Sequence, residues 1–294
     1  MTLILSIAAP HFVAHVSDRR LTSKGNLVDD DTNKLVVFGN RCVFGYTGLA
    51  FLNPAQSEPT DWWLTQRLSE VTSHNLEDAV MHVRDRATEA FQRLKWRACY
   101  KHHAFIGVGW QDTNDGSLFP VLVRISNYHD GEIVMTTPKD TFEIQKGVFK
   151  FPQYGICHTG AKVQPQDWTV LERSVRRCAE KGTGPRPAMD QLVRFIRKIA
   201  SQDRSVGKNL LAVTMSIGAA RSSYPAVFSP GGFDIAAGPE DFEGAPPRYP
   251  PGGPGPDHSI VSQYLPYGKP RLDYGVSFAY PGIAIDKVVS VLDP

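Results

Sequence analysis

A chain of 294 residues, 41% hydrophobic with a formal net charge of +2, can bury one large core or two modest ones, and it carries no bias toward nucleic acid or membrane surfaces. Its four cysteines, Cys42, Cys99, Cys157 and Cys178, lie far apart with no C-x-x-C pair. That spacing argues against zinc and against a disulfide framework, and makes a reducing compartment the expectation.

In chain order, Leu3–Ala8, Phe12–Val16, Leu35–Phe38 and Cys42–Tyr46 are short, mostly apolar and rich in β-branched and aromatic residues. Turn-prone Pro10-His11 and Gly39-Asn40 separate the members of each pair, so they read as two hairpins. Their lack of strict alternation predicts strands covered on both faces. The apolar start lacks a basic n-region and is interrupted by Pro10-His11, so it is not expected to be an export signal, and a cytoplasmic location follows. No run reaches the roughly 18 apolar residues of a membrane-spanning helix.

After Gly48 the pattern becomes helical. A short helix is expected near Asp61–Val71, and Leu76, Val80, Val83, Ala87, Ala90, Phe91 and Leu94 form a stripe of helical period behind Asn75, a good N-cap. Strands are expected at Ala104–Trp110, Leu118–Ile125 and Glu132–Thr137. Two further helical stripes follow, one through Trp168, Leu171, Val175 and Cys178, the other through Met189, Leu192, Val193, Ile196 and Ile199, separated by the breaker run Gly182–Pro187. Leu210–Ile217 reads as a strong strand. This order suits an α+β fold, a four-layer αββα sandwich, over residues 1–218. More than half of residues 230–256 are Gly or Pro, so 219–273 reads as a Gly/Pro-rich excursion, a surface loop or one that shapes a substrate entrance or subunit contact. Tyr274–Phe278 and Ile283–Val291, within 274–294, read as a strand pair returning to the core.

The residues with the most chemical content lie near the start. Asp18, Lys34 and Gly48 follow Thr2 at offsets of 16, 32 and 46 residues. A threonine hydroxyl is a weak nucleophile unless a base adjoins it, and the α-amine of the same residue, with a pKa of roughly 7.7–8.0, is such a base. Only the first residue of a mature chain has that amine, and removal of Met1 is expected when the next residue is as small as threonine. A lysine near the amine disfavours its protonated form, and an aspartate holds that lysine charged and in place. Lys34 and Asp18 are the candidates. Gly48, in Gly45-Tyr46-Thr47-Gly48-Leu49-Ala50, is the candidate for a backbone N–H aimed at a developing oxyanion. Each residue alone has a bland reading, Asp18 in a solvated turn and Lys34 as a surface charge; it is their joint spacing that points to a site.

The run Asp18-Arg19-Arg20-Leu21-Thr22, the segment Asn33-Lys34-Leu35 and the turn Thr47-Gly48-Leu49-Ala50, together with Thr2, resemble the motifs of the proteasome β-subunit superfamily, including the bacterial HslV-type peptidases. These are N-terminal nucleophile hydrolases. The resemblance covers motif positions in the first 50 residues and implies the αββα fold of that class. It also implies a serine-bearing Gly-Ser-Gly element, whose nearest counterpart is His158-Thr159-Gly160 with Thr159 in place of the serine, and an Asp and Ser after the last long helix, for which Asp203 and Ser205 are the counterparts. The implied activity is a threonine-type peptidase with no metal or organic cofactor. The implied partners are a peptide or unfolded polypeptide substrate, copies of the same chain in a ring-like homo-oligomer, and an ATP-driven unfoldase. The chain departs from those peptidases in its greater length and its Gly/Pro-rich segment. Two alternatives stay open, an amidohydrolase acting on a small amide and a non-catalytic ring subunit. The pair His102-His103 reads as structural, since no ligand spacing such as H-E-x-x-H accompanies it.

Overall fold

The computed structural model describes residues 2–217, apart from 24–25, 31, 40, 54–57, 74, 98–99, 114–115, 131–132, 151 and 181–184, and beyond them the strand residues 226–227, 235–236, 259–264 and 277–279. It is a mixed fold of helices and mainly antiparallel sheets. The strands are β1 (Leu3–Ala8), β2 (Phe12–Asp18), β3 (Leu21–Ser23), β4 (Asn26–Asp29), β5 (Leu35–Phe38), β6 (Cys42–Thr47), β7 (Phe51–Asn53) and β8 (Glu58–Pro59). Helices α1 (Thr60–Ser69) and α2 (Leu76–Arg93) follow, then β9 (Ala104–Asp112), β10 (Leu118–Ser126), β11 (His129–Asp130), β12 (Ile133–Val134), β13 (Glu143–Val148) and β14 (Gly155–Gly160). Helices α3 (Pro165–Glu180) and α4 (Pro185–Gln202) precede β15 (Leu210–Ser216), β16 (Ala226–Val227), β17 (Ile235–Ala236), β18 (Ser259–Tyr264) and β19 (Ser277–Ala279).

Two sheets dominate. One has the order β14-β1-β2-β15-β18 and the other β13-β10-β9-β6-β5-β19, with β19 parallel to β5. The two expected hairpins form, the first closed by a hydrogen bond from the Ala9 N–H to the Phe12 carbonyl. Their strands are buried on both faces, and alternation decides which neighbour each side chain meets. In β1, Leu3, Leu5 and Ile7 join a cluster with Leu171 and Val175 of α3 and Leu192 and Ile196 of α4. In β5, Val36 and Phe38 join a second cluster with Trp63, Leu64 and Leu68 of α1 and Val80 and Val83 of α2. A third cluster holds Ala8, Val13, Leu211 and Val213 from the first sheet against Leu35, Val37, Val43 and Val108 from the second. Among the described residues, no helix is long and apolar enough to cross a membrane.

The α2 helix begins where expected. The Asn75 side chain accepts a hydrogen bond from the Glu77 N–H at 2.9 Å, and Glu77 and Asp78 place negative charge at the positive end of the helix. The run Gly182–Pro187 does not break the chain as far as expected. Pro185 and Pro187 lie in the first turn of α4, where backbone N–H groups have no intrahelical acceptor and proline costs nothing in hydrogen bonds. The strand expected at Glu132–Thr137 is only the two-residue β12, paired with β11, because its side chains Ile133 and Val134 are exposed and find no core. The sheet edge is taken instead by β13, whose largely polar sequence hides it from a hydrophobicity pattern. Within 219–273, β18 pairs with β15 and extends the first sheet, so part of that segment is sheet and not excursion. Of the expected terminal pair, Ser277–Ala279 forms β19, whereas Ile283–Val291 lies outside the described residues.

Candidate active site

Hairpin register brings Thr2 and Asp18 together. In β1 and β2, Ile4 faces Ser17, so the next pair outward is Leu3 and Asp18, at the end of the strand that Thr2 immediately precedes. The Leu3 N–H donates to Asp18 Oδ2 at 2.5 Å. Asp18 Oδ1 accepts from the Arg20 N–H at 2.9 Å and from the Gly207 N–H at 3.2 Å. Asp18 is fully buried, and these backbone donors hold its carboxylate in one orientation.

Lys34 arrives from the second sheet, immediately before β5. Its Nζ donates to Thr2 Oγ1 at 2.8 Å, to Asp18 Oδ1 at 3.2 Å and to the Arg20 carbonyl. An ammonium has three protons and no acceptor capacity, and here it has three acceptors. Burial pushes the Lys34 amine below its ordinary value, opposed by the negative charge of Asp18 and the hydrogen bond to it. The neighbouring Arg20 is anchored from outside: its guanidinium forms a two-pronged pair with Asp30, at 2.5 and 2.8 Å, and donates to the Arg204 carbonyl at 2.9 Å. Its carbonyl is thereby held toward Lys34.

Thr2 is itself nearly buried, and its carbonyl accepts from the Ala161 N–H at 2.7 Å. The β14 strand runs antiparallel to β1 with Gly160 opposite Leu3 and Thr159 opposite Ile4. A Cβ built on Gly160 would stand 1.7 Å from the Thr2 carbonyl oxygen and 3.3 Å from Thr47 Oγ1. Thr2, Gly160 and the residue preceding Gly48 are thus in one place. Thr159 Oγ1 pairs with Tyr128 Oη at 3.4 Å, and burial raises the Tyr128 phenol above its usual range.

Gly48 has φ +113°, a conformation that favours glycine, and lies exposed at the turn after β6. A Cβ there would meet the His102 carbonyl at 2.2 Å and His103 Nδ1 at 2.9 Å. The next N–H, of Leu49, donates to His103 Nδ1 at 3.1 Å.

Asp203 and Ser205 bond to each other in the turn after α4, and the Asp203 N–H donates to the Ile199 carbonyl at 2.8 Å. The Ser205 N–H donates to Asp203 Oδ1 at 2.8 Å, and bonds from Ser205 hold the Asp203 carboxyl below the usual range. Gly207 of the same turn reaches the site through its N–H bond to Asp18. Gly207 and the Arg20 carbonyl act through backbone atoms, so no side-chain motif announces them; Arg20 and Gly160 do stand inside the motifs quoted above. His103 sits in an aromatic box, with Phe105 at 4.6 Å and Phe91 at 5.4 Å between ring centroids. Among the described residues, no group of three His, Cys, Asp or Glu side chains is placed to hold a metal ion.

What the arrangement offers chemically is a hydroxyl at the end of a strand, hydrogen-bonded to a buried cation that a buried carboxylate holds in place. No protein-family model matches this sequence, and no curated protein matches it.

Proposed function

We propose that this protein is an N-terminal threonine hydrolase that cleaves amide bonds, with a peptide or unfolded polypeptide as substrate. The observation that carries the reading is the placement of Lys34 Nζ between Thr2 Oγ1, at 2.8 Å, and Asp18 Oδ1, at 3.2 Å, with all three side chains buried or nearly so. A lysine in that position raises the local positive potential and keeps the amine of an N-terminal Thr2 neutral. The neutral amine takes the hydroxyl proton as Oγ attacks the substrate carbonyl. The Gly48 N–H is the proposed donor to the tetrahedral oxyanion. Collapse expels the leaving amine, which takes the proton, and leaves an ester on Thr2; water activated by the same amine then hydrolyses that ester. The mechanism requires cleavage of the Met1–Thr2 bond.

The helices α1 and α2 against one sheet and α3 and α4 against the other, with the third cluster between the sheets, support the αββα sandwich of N-terminal nucleophile hydrolases as the proposed fold. A homo-oligomeric, ring-like assembly in the cytoplasm, fed by an ATP-driven unfoldase, is the accompanying proposal. It rests on the resemblance of the motifs to the proteasome and HslV-type peptidases.

The test is the intact mass of the purified protein before and after incubation with a peptide epoxyketone, a reagent that needs both the free amine and its neighbouring hydroxyl. Loss of Met1 with one stoichiometric adduct supports the reading. Met1 lost without an adduct redirects it to a small-amide hydrolase, and Met1 retained overturns it in favour of a non-catalytic scaffold.

A further inference from the structure

We propose that His103 is the positioning residue for the oxyanion-binding turn, its Nδ1 holding the Leu49 N–H so that the neighbouring Gly48 N–H keeps a fixed direction; this rests on the hydrolase reading above. Three observations carry it. First, the Leu49 N–H donates to His103 Nδ1 at 3.1 Å, a bond across 54 residues of chain that ties the turn after β6 to the start of β9. Second, Gly48 packs directly on the His102–His103 backbone: a Cβ at position 48 would meet the His102 carbonyl at 2.2 Å and His103 Cα at 2.9 Å, so the turn has almost no freedom on that side. Third, His103 is itself held at both ends. Its N–H donates to Asn127 Oδ1 at 2.9 Å, while Asn127 Nδ2 donates to the Lys101 carbonyl at 2.8 Å and the Lys139 carbonyl at 3.0 Å. Its ring is fully buried among Tyr46, Phe91, Phe105 and Phe142.

The chemistry of the ring fits the task. To accept from Leu49, Nδ1 must be unprotonated, which puts the ring proton on Nε2. That Nε2 is buried without a hydrogen-bond partner. A buried polar atom without a partner is costly, and a phenylalanine here would avoid the cost while preserving the aromatic packing. What the imidazole offers and phenylalanine could not is the acceptor at its other nitrogen, which takes the Leu49 N–H. Burial pushes the ring's pKa down to about 3, so the acceptor form persists across the working pH range. The donor that stabilises an oxyanion is effective only if its direction is fixed before the reaction, and a displacement of about 1 Å costs on the order of a hundredfold in rate.

Two measurements test this. Nitrogen-15 NMR of the wild-type protein labelled at histidine and leucine should show His103 as the Nε2–H tautomer with a hydrogen-bonded Nδ1, and the Leu49 amide as slowly exchanging. A protonated Nδ1 or an unprotected Leu49 amide overturns the proposal whatever the activity. Kinetics with a fluorogenic peptide should then show His103→Phe lowering kcat about tenfold to a hundredfold with KM within about twofold. His103→Asn, whose Oδ1 occupies the place of Nδ1, should recover most of the loss. An active wild type with an unchanged kcat in His103→Phe overturns the role of His103 and leaves the hydrolase reading standing. A wild type that neither turns over peptide nor forms an epoxyketone adduct overturns the hydrolase reading, and the proposal with it.

Discussion

The backbone of Gly160 lies directly on the carbonyl of Thr2, close enough that a Cβ at position 160 would stand 1.7 Å from that oxygen. The contact follows from strand pairing, since Gly160 ends β14 opposite Leu3 and the Ala161 N–H donates to the same Thr2 carbonyl at 2.7 Å. At φ +101° Gly160 is also in a conformation that costs an L-residue about 1–2 kcal/mol. Gly160→Ala should therefore displace Thr2 from Lys34. Turnover is expected to fall at least tenfold, with a melting temperature several degrees lower; an alanine variant of normal kcat would show that Thr2 does not need this backing.

Thr2→Ala removes the hydroxyl that accepts from Lys34 while the ammonium keeps Asp18 and the Arg20 carbonyl. Stability should change by about 1 kcal/mol, measured by urea unfolding, and turnover should vanish. Thr2→Ser should keep turnover. Full activity in the alanine variant would remove Thr2 from the mechanism.

Lys34→Met preserves the stem and deletes the charge. The Asp18 carboxylate is then buried with backbone donors alone, and loss of one partner from a buried ion pair costs about 3–5 kcal/mol. Without the neighbouring cation the N-terminal amine regains its ordinary protonation, so the rate at pH 7 should drop and the limb of the pH–rate profile assigned to the amine should move to higher pH. A profile overlaying that of the wild type would exclude Lys34 from the site.

Acid should destabilise the fold through two histidines. His15 and His103 are fully buried, and burial pushes both down to about 3 from an unfolded value of 6.5. For a base whose folded pKa is depressed, the unfolded chain binds the extra proton first. The stability contribution is complete above about pH 6.5 and is lost as pH falls toward 3. At pH 5 the loss should be about 2 kcal/mol per histidine relative to pH 7.5, read from urea midpoints at the two pH values. Equal midpoints would mean that these rings titrate normally and are open to water.

The central hairpins and the strand after α4 were legible in the sequence as short continuous apolar runs, and helices α2, α3 and α4 as apolar stripes of helical period, because runs and stripes are local properties of the chain. Thr2, Asp18 and Lys34 were legible for a related reason. Their side chains carry the chemistry, and the spacing between them is the length of the strands and turns that separate them. The polar edge strand Glu143–Val148 was not, since backbone pairing with β10 holds it and no periodicity records that. The roles of the Arg20 carbonyl, the Gly207 N–H and the Gly160 backbone were hidden likewise, because main-chain donors and acceptors are the same for every residue and only the fold aims them. His103 stands between the two cases. Its sequence shows a histidine without ligand spacing, and only the tertiary structure, by setting the turn after β6 on the start of β9, decides that its Nδ1 meets the N–H of Leu49.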